Sequence, residues 1–374
     1  MKRLKCVYTT VLIAMLAAAG NAQTTTSTPA APADPPKSVW TQGGVNISGL
    51  ADFYGSLNFN HPATRANTLR NFDTRADSVA FNMGKLEFAH AAEPLGFRVD
   101  LGFGRAYTIF HATDPIDNEF MNYVPQAYVS FAPKSFKGVQ VDFGKFYTSA
   151  GAELTETHLG WNYSRSLLYA NGPYYHFGGR VTVPVTGNFS TGFQLVNGWN
   201  NVQDNNSGKT MGFTTALTGS KVSWFNNYYV GPEKTDTNKG FRHFYDTVVS
   251  ITPNNRFNMY VNMDYGVDRN LGGGSNKFFG IGTSIKYQLT EKFYLSPRIE
   301  YYNDIDGFIT GVDQTLKEFT LTGDYKFHPN LVTRLEYRHD WSDQPFFDRG
   351  NEPSSFKRQD TVLVGLVFFF GPKQ

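Results

Sequence analysis

The 374-residue sequence contains a single cysteine, Cys6. It lies in a stretch that reads as a processing signal, so the mature chain is left without a disulfide framework or a thiolate metal site. Charge of either sign is also scarce in the balance, since 34 Lys and Arg against 32 Asp and Glu leave a formal +2. Losing Lys2, Arg3 and Lys5 with the signal takes this to −1. Such a chain has no global field for gripping nucleic acid. After the N-terminal stretch no segment approaches the roughly 18 consecutive apolar residues of a membrane helix. The eight His residues show no H-x-x-x-H or H-E-x-x-H spacing for a metal. A G-x-S-x-G nucleophile elbow is missing as well. Residues 271–275 (LGGGS) lack the Lys of a phosphate loop. No metal, cofactor or catalytic residue is therefore expected.

What is present is a signal, a polar tail and a long alternating body. Lys2, Arg3 and Lys5 precede an apolar stretch over residues 6–20, and Gly20-Asn21-Ala22 supplies small residues for cleavage after Ala22. Residues 1–22 thus read as a signal peptide. Residues 23–43, rich in Thr, Pro and Ala, hold too few large apolar groups to offset their ordering entropy and read as a periplasmic tail. Aromatic residues make up 16% of the chain, with 33 Phe and 21 Tyr, a bias that suits strands and aromatic belts.

The body alternates with period two, as strands do because successive side chains point to opposite faces. Phe257, Met259, Val261, Met263, Tyr265 and Val267 share one face, against Asn258, Tyr260, Asn262, Asp264, Gly266 and Asp268. Val45, Ile47, Ala51, Phe53, Leu57 and Phe59 likewise face away from Asn46, Ser48, Asp52, Ser56 and Asn58. The last strand sets Val362, Val364, Leu366, Phe368 and Phe370 on its apolar side, although Gly371 to Gln374 follow where such barrels often end on the aromatic residue. Short turn signals near residues 92–96, 133–138, 186–188, 219–221, 253–256, 290–292 and 328–330 interleave with longer polar loops near 60–77, 107–120, 147–172, 198–209, 231–240, 268–276, 303–315 and 341–357.

Short turns on one side and long loops on the other are the signature of an outer-membrane barrel rather than a soluble sandwich. Fifteen connections predict an all-β, transmembrane, antiparallel up-and-down β-barrel of about 16 strands (14–18) over residues 44–371. Both termini then lie on the periplasmic side. Two segments fit this pattern less well. Residues 78–91 mix Lys85 and Glu87 with Val79, Phe81 and Met83, as a bulge would produce, and residues 210–217 are short for a crossing.

If the apolar face meets lipid, the other lines the lumen. The candidates for that lining are Asp52, Arg98, Asp100, Asp142, Arg180, Asp264, Arg298, Glu300, Asp324, Arg334, Glu336 and Arg338. A wall carrying both signs stays wet and passes hydrated solutes; the alternative is that these charges pair and leave a narrow or plugged barrel. The third loop, residues 147–172, is the longest. Folded into the pore it would bring Glu153, Glu156, His158 and Arg165 to a constriction, with Trp161, Tyr163 and Tyr169 packing it against the wall. Its other option is an external surface loop.

One block adds a resemblance. Gly144-Lys145-Phe146, Gly151 and Glu153, Asn162 with Ser164, Gly172-Pro173, His176 and Gly178 resemble the OmpL-like β-barrel porin-2 family. This resemblance implies an outer-membrane barrel with porin activity, and it places Glu153, Asn162 and Ser164 in the characteristic block without giving them a role. The leading expectation is a water-filled channel for passive diffusion of small hydrophilic solutes or ions. A structural or adhesive barrel and a barrel-borne hydrolase are the alternatives. The expected partners are outer-membrane lipid, the barrel-assembly machinery and the solutes themselves, with a homo-oligomer left open.

Overall fold

The computed structural model describes residues 39–114 and 119–372. The signal peptide and most of the tail lie outside the described residues. Sixteen strands form the body. They are β1 (Val45–Asn58), β2 (Ser78–His90), β3 (Leu95–Phe103), β4 (Gln126–Phe131), β5 (Gln140–Tyr147), β6 (Tyr175–Pro184), β7 (Phe189–Val196) and β8 (Thr210–Thr218), followed by β9 (Val222–Pro232), β10 (Phe241–Asn254), β11 (Phe257–Arg269), β12 (Ser275–Gln288), β13 (Phe293–Asp304), β14 (Gln314–His328), β15 (Leu331–Ser342) and β16 (Arg358–Phe370). Each pairs antiparallel with the next, and β16 returns to β1, with Phe370 opposite Gly49 and Thr361 opposite Asn58. No described helix is long and apolar enough to cross a membrane; the crossings are made by strands. Closure satisfies every strand edge that hydrocarbon would otherwise penalise.

The alternation decides which face meets lipid. Phe53, Leu57, Phe103, Phe143, Trp224, Ile299, Leu335 and Val364 are exposed on the outside, while Asp52, Asp100, Asp264, Glu300 and Arg334 on the opposite phase are buried inside. The disturbed phase of β2 has the expected cause. The register with β1 shifts between Asp52 and Phe53, where Phe53 faces Phe81 and Asp52 faces Met83. This bulge leaves Val79 and Phe81 outside and sends Met83 and Lys85 inside. Strand β8 has 9 residues; the shortest crossing is β4, with 6.

At the turn end, Thr41–Gln42 fold back on Val45–Asn46, and the Trp40 ring packs 4.6 Å from Phe370. At the other end three loops turn inward. Loop 1 (residues 59–77) buries Phe72, and loop 2 (described over residues 104–114 and 119–125) carries the helix α1 (Arg105–Phe110), which buries Ala106, Tyr107 and Phe110. Loop 3 (residues 148–174) contains the helix α2 (Leu167–Asn171) and crosses the barrel interior.

Candidate functional site

Loop 3 leaves the wall at Ser149, whose hydroxyl bonds Asn227 and Tyr229 on β9 at 2.8 Å each. The Ala152 amide then donates to Asn262 on β11 at 3.0 Å. From there the chain runs along the wall toward β13 and β15, where its own polar backbone meets three arginines. Arg298 donates to the Glu153 carboxylate and to the Ser164 carbonyl, both at 2.7 Å. Arg334 donates to the carbonyls of Thr157, Gly160 and Asn162 at 2.7, 2.5 and 3.1 Å. Arg338 donates to the Arg165 carbonyl at 2.6 Å. A guanidinium has five donors and cannot lose its charge, which suits it to an irregular loop full of unpaired carbonyls.

Carboxylates on the same wall take up the loop's amides. Glu336 accepts from Tyr163 and Ser164 at 2.6 and 2.9 Å. Glu300 accepts from Leu167 and Leu168 at 2.8 and 3.2 Å, two of the unpaired donors that open α2. Ser166 caps that helix by accepting from the Tyr169 amide at 2.9 Å. The wall charges are also paired among themselves, Arg298 with Glu318 at 3.0 Å, Arg334 with Asp324 at 3.0 Å and Arg338 with Asp340 at 2.8 Å. Buried ions of this kind persist because nearly every lone pair and proton is used.

The far side of the loop is held by β1 and β2. Thr157 donates to Asp52 at 2.6 Å and Tyr163 to the same carboxyl at 2.8 Å. Glu156 lies on Lys85, which also contacts Asp100 at 3.0 Å. Burial alone would raise the Glu156 carboxyl, but Lys85 and Arg98 hold it below its ordinary value. Two of the aromatic anchors pack on the wall as expected, Trp161 against Tyr260 at 5.1 Å and Tyr163 against Tyr54 at 5.7 Å, whereas Tyr169 packs on Phe72 of loop 1 at 5.9 Å.

Glycines make room for this docking. A Cβ on Gly365 of β16 would lie 2.3 Å from the Tyr163 ring, and one on Gly280 of β12 would lie 2.5 Å from Leu168. Gly365→Val is therefore expected to push Tyr163 off Asp52 and lower stability by about 1–3 kcal/mol. The check is the urea midpoint of the purified barrel, which an unaffected seat would leave unchanged.

The structure thus gathers Glu153, Glu156 and Arg165 into the lumen. Glu153 and Glu156 reach wall cations, whereas Arg165 turns back onto the Leu154, Tyr163 and Thr155 carbonyls and lies 5.4 Å over Phe72. All twelve lining candidates face inward. However, Asp52, Arg298, Glu300, Arg334, Glu336 and Arg338 are sealed against loop 3 instead of lining water. Asp100 is buried beneath Lys85, and Asp264 shares the Asn262 amide with Asp246. Arg98 and Arg180, on the opposite wall, keep 27% and 24% of their side chains exposed. They pair with Glu87 at 2.6 Å and with Asp142 at 2.7 Å. Between the base of loop 3 and Phe225 and Val248 remains a cavity of about 40 Å³, room for only a few waters.

The block Gly144 to Gly178 is also explained in part. Gly144 and Gly178 face each other across β5 and β6, with φ 136° and 156°. A Cβ on either would come within 2.3 Å of a neighbouring carbonyl oxygen. Beside them Lys145 contacts His111 at 2.8 Å, and Phe146 packs under the Arg180 guanidinium at 4.3 Å. The His176 ring stacks on Tyr229 at 4.8 Å. Asn162 donates to the Ser296 carbonyl and the Thr322 hydroxyl at 2.9 and 2.8 Å, while Ser164 offers its carbonyl to Arg298. Pro173 follows α2, as a residue unable to continue a helix does.

Residues 44–370 match the family model described as beta-barrel porin-2, OmpL-like. The chain belongs to this porin family. It is an outer-membrane β-barrel porin. No curated protein matches the sequence. Among solved structures, the porin is similar to the outer-membrane channel DcaP of Acinetobacter baumannii, with 10% identity, a TM-score of 0.60 and coverage of 87% of this chain and 97% of that one. The anion-selective porin from Comamonas acidovorans gives 12% identity, TM-score 0.58 and coverage of 87% and 99%. OmpT of Vibrio cholerae, in its trimer form, gives 12% identity, TM-score 0.56 and coverage of 87% and 99%. At these identities the likeness is one of fold.

Alternation alone did not single out Lys85, Asp246, Lys286, Glu318 or Lys326. Glu318 and Lys326 share the phase of Asp324 on β14 and could have been found by extending it. Lys85 was hidden by the bulge. Lys286 and Lys326 flank the Tyr294 ring at 5.1 and 4.5 Å near the turn end of the lumen.

Proposed function

We propose that the porin is a narrow sieve for small hydrophilic solutes and ions, with loop 3 as its constriction. The observation that carries this reading is the row of arginines on β13 and β15 that bolts the loop to one wall. A diffusing solute is left the opposite wall, where Arg98 and Arg180 retain solvent contact. The same tight filling favours a second reading, a surface barrel that conducts little. Planar-bilayer recording of purified protein separates the two. Steps of stable conductance support the sieve, and a silent, folded barrel supports the alternative.

Glu153 and Glu156 are the acidic groups we assign to the constriction, each compensated by a cation, Arg298 and Lys85 respectively. Changing both to Gln leaves those cations without their anionic loop partners, so reversal potentials in a salt gradient are expected to move toward anion preference. An unmoved reversal potential would remove both residues from the ion path. The reading assigns no reaction to the barrel, and a phospholipase assay of the same sample is expected to stay at background. Cleavage after Ala22 and recognition of the β16 aromatic end by the barrel-assembly machinery complete the proposed route to the outer membrane. A homo-oligomer is proposed on the strength of the shared fold with a protein solved as a trimer.

A further inference from the structure

On the outer wall, at the loop end of β2, three arginines meet, and no carboxylate of the described residues lies between them. Arg65 and Arg75 come from loop 1 and Arg105 opens α1; together with Ser78, Val79 and Phe81 they line a cleft of about 440 Å³. None of the described residues lining it is acidic. Among the described residues, none of the three guanidiniums takes part in a salt bridge, although most inward-facing arginines do.

The cleft is built rather than accidental. The Ala76 amide donates to the Arg65 carbonyl at 3.0 Å, and the Arg75 amide donates to the Tyr54 hydroxyl at 3.0 Å. Arg105 Nε donates to Thr74 Oγ1 at 2.5 Å. Arg65 holds a left-handed backbone, φ 51°, uncommon outside glycine. Directly toward the membrane centre the wall turns apolar. Val79 is 86% exposed, and the Phe81 ring lies 5.2 Å from Phe53 and 5.9 Å from Phe103.

Cations at the loop end above an apolar wall stand at the level of the outer-leaflet headgroups. Guanidiniums bind phosphate oxygens in pairs, with charge-assisted hydrogen bonds. The geometry points to a binding site for a phosphorylated lipid of the outer leaflet, its phosphate on Arg65, Arg75 and Arg105 and an acyl chain along Val79 and Phe81. The Ser78 hydroxyl, buried without a partner, offers a further donor. The site is separate from the conduction path, which lies inside the barrel.

The test uses the full-length folded protein in detergent, native mass spectrometry and three probes: a bisphosphorylated glycolipid (lipid A), phosphatidylcholine and inorganic phosphate. Retained lipid A is expected, with little phosphatidylcholine. Each Arg→Gln change should weaken retention about fivefold, and the triple change on the order of 100-fold. Val79→Ser with Phe81→Ser should weaken lipid A while leaving any inorganic phosphate signal unchanged. The heat-dependent gel shift of a folded barrel and the conductance of each variant serve as folding controls. Equal retention by the triple variant and the parent overturns the proposal. So does inorganic phosphate competing with lipid A at equal concentration, or a dimer mass that disappears with the arginines, which would make the patch a contact between copies.

Discussion

Excising residues 149–173 and closing the gap with an Asn-Gly turn is expected to raise single-channel conductance several-fold. Tyr147 pairs with Tyr175, and the Thr148 amide donates to the Tyr174 carbonyl at 3.0 Å. The two ends of the loop are thus already hairpin neighbours, and a short turn joins them without moving β5 or β6. The arginines freed by the deletion keep their wall partners, Arg298 with Glu318, Arg334 with Asp324 and Arg338 with Asp340. Water then occupies the sites of the loop carbonyls, so the barrel is expected to fold. Sixteen strands without an internal plug enclose an aqueous channel. The measurement is a planar-bilayer recording beside a liposome-swelling series of sugars, with the gel shift as a folding check. A folded deletion variant with the parent's conductance would show that loop 3 does not set the narrowest point.

Much of the barrel was legible because period-two alternation is a direct record of which face a side chain takes. That record was lost where the backbone adds a residue. In β2 the extra residue reverses the phase between Phe81 and Met83, so alternation marks Lys85 as out of pattern without showing that it faces inward and grips Glu156. Face is also not occupancy. Alternation placed Arg298, Arg334 and Glu336 inside, yet what covers them is a loop some 130–180 residues away in sequence. The length of loop 3 marked it as functional, and its Glu153, Glu156 and Arg165 marked it as polar. Nothing local could say that its amides and carbonyls would be shared between β13 and β15, and its side chains between β1 and β14. Likewise, Arg65 and Arg75 are separated from Arg105 by two strands and a turn, and only the fold brings them to one cleft.

Acid is expected to loosen loop 3, with His158 as the main sensor. The ring stacks on Phe369 at 4.8 Å, and its Nδ1 is buried without a hydrogen-bond partner. Burial pushes this imidazole down to about 4; Lys85, Arg334 and Arg165 push the same way, and Glu156 opposes them. In an undocked loop the ring would titrate near its ordinary value of about 6.5. Its pKa is therefore lower docked than free, so the docked state is unpenalised above pH 6.5 and loses stability as pH falls from there toward 4. The full difference amounts to about 3 kcal/mol, but part of the ring still meets solvent. Screening there reduces the effect to a shift on the order of tenfold in the open population. Glu156 adds to the trend at lower pH. It is held below its ordinary value by Lys85, so its contribution is present above the usual carboxylate range and disappears as pH falls through the docked value. Recordings between pH 7 and 4 should show an increasing share of high-conductance events. His158→Phe keeps an apolar ring on Phe369 and removes the charge, so its response in the window from 6.5 to 4 should flatten, leaving only the more acidic step. An unchanged response in that variant would assign the sensor to the carboxylates alone.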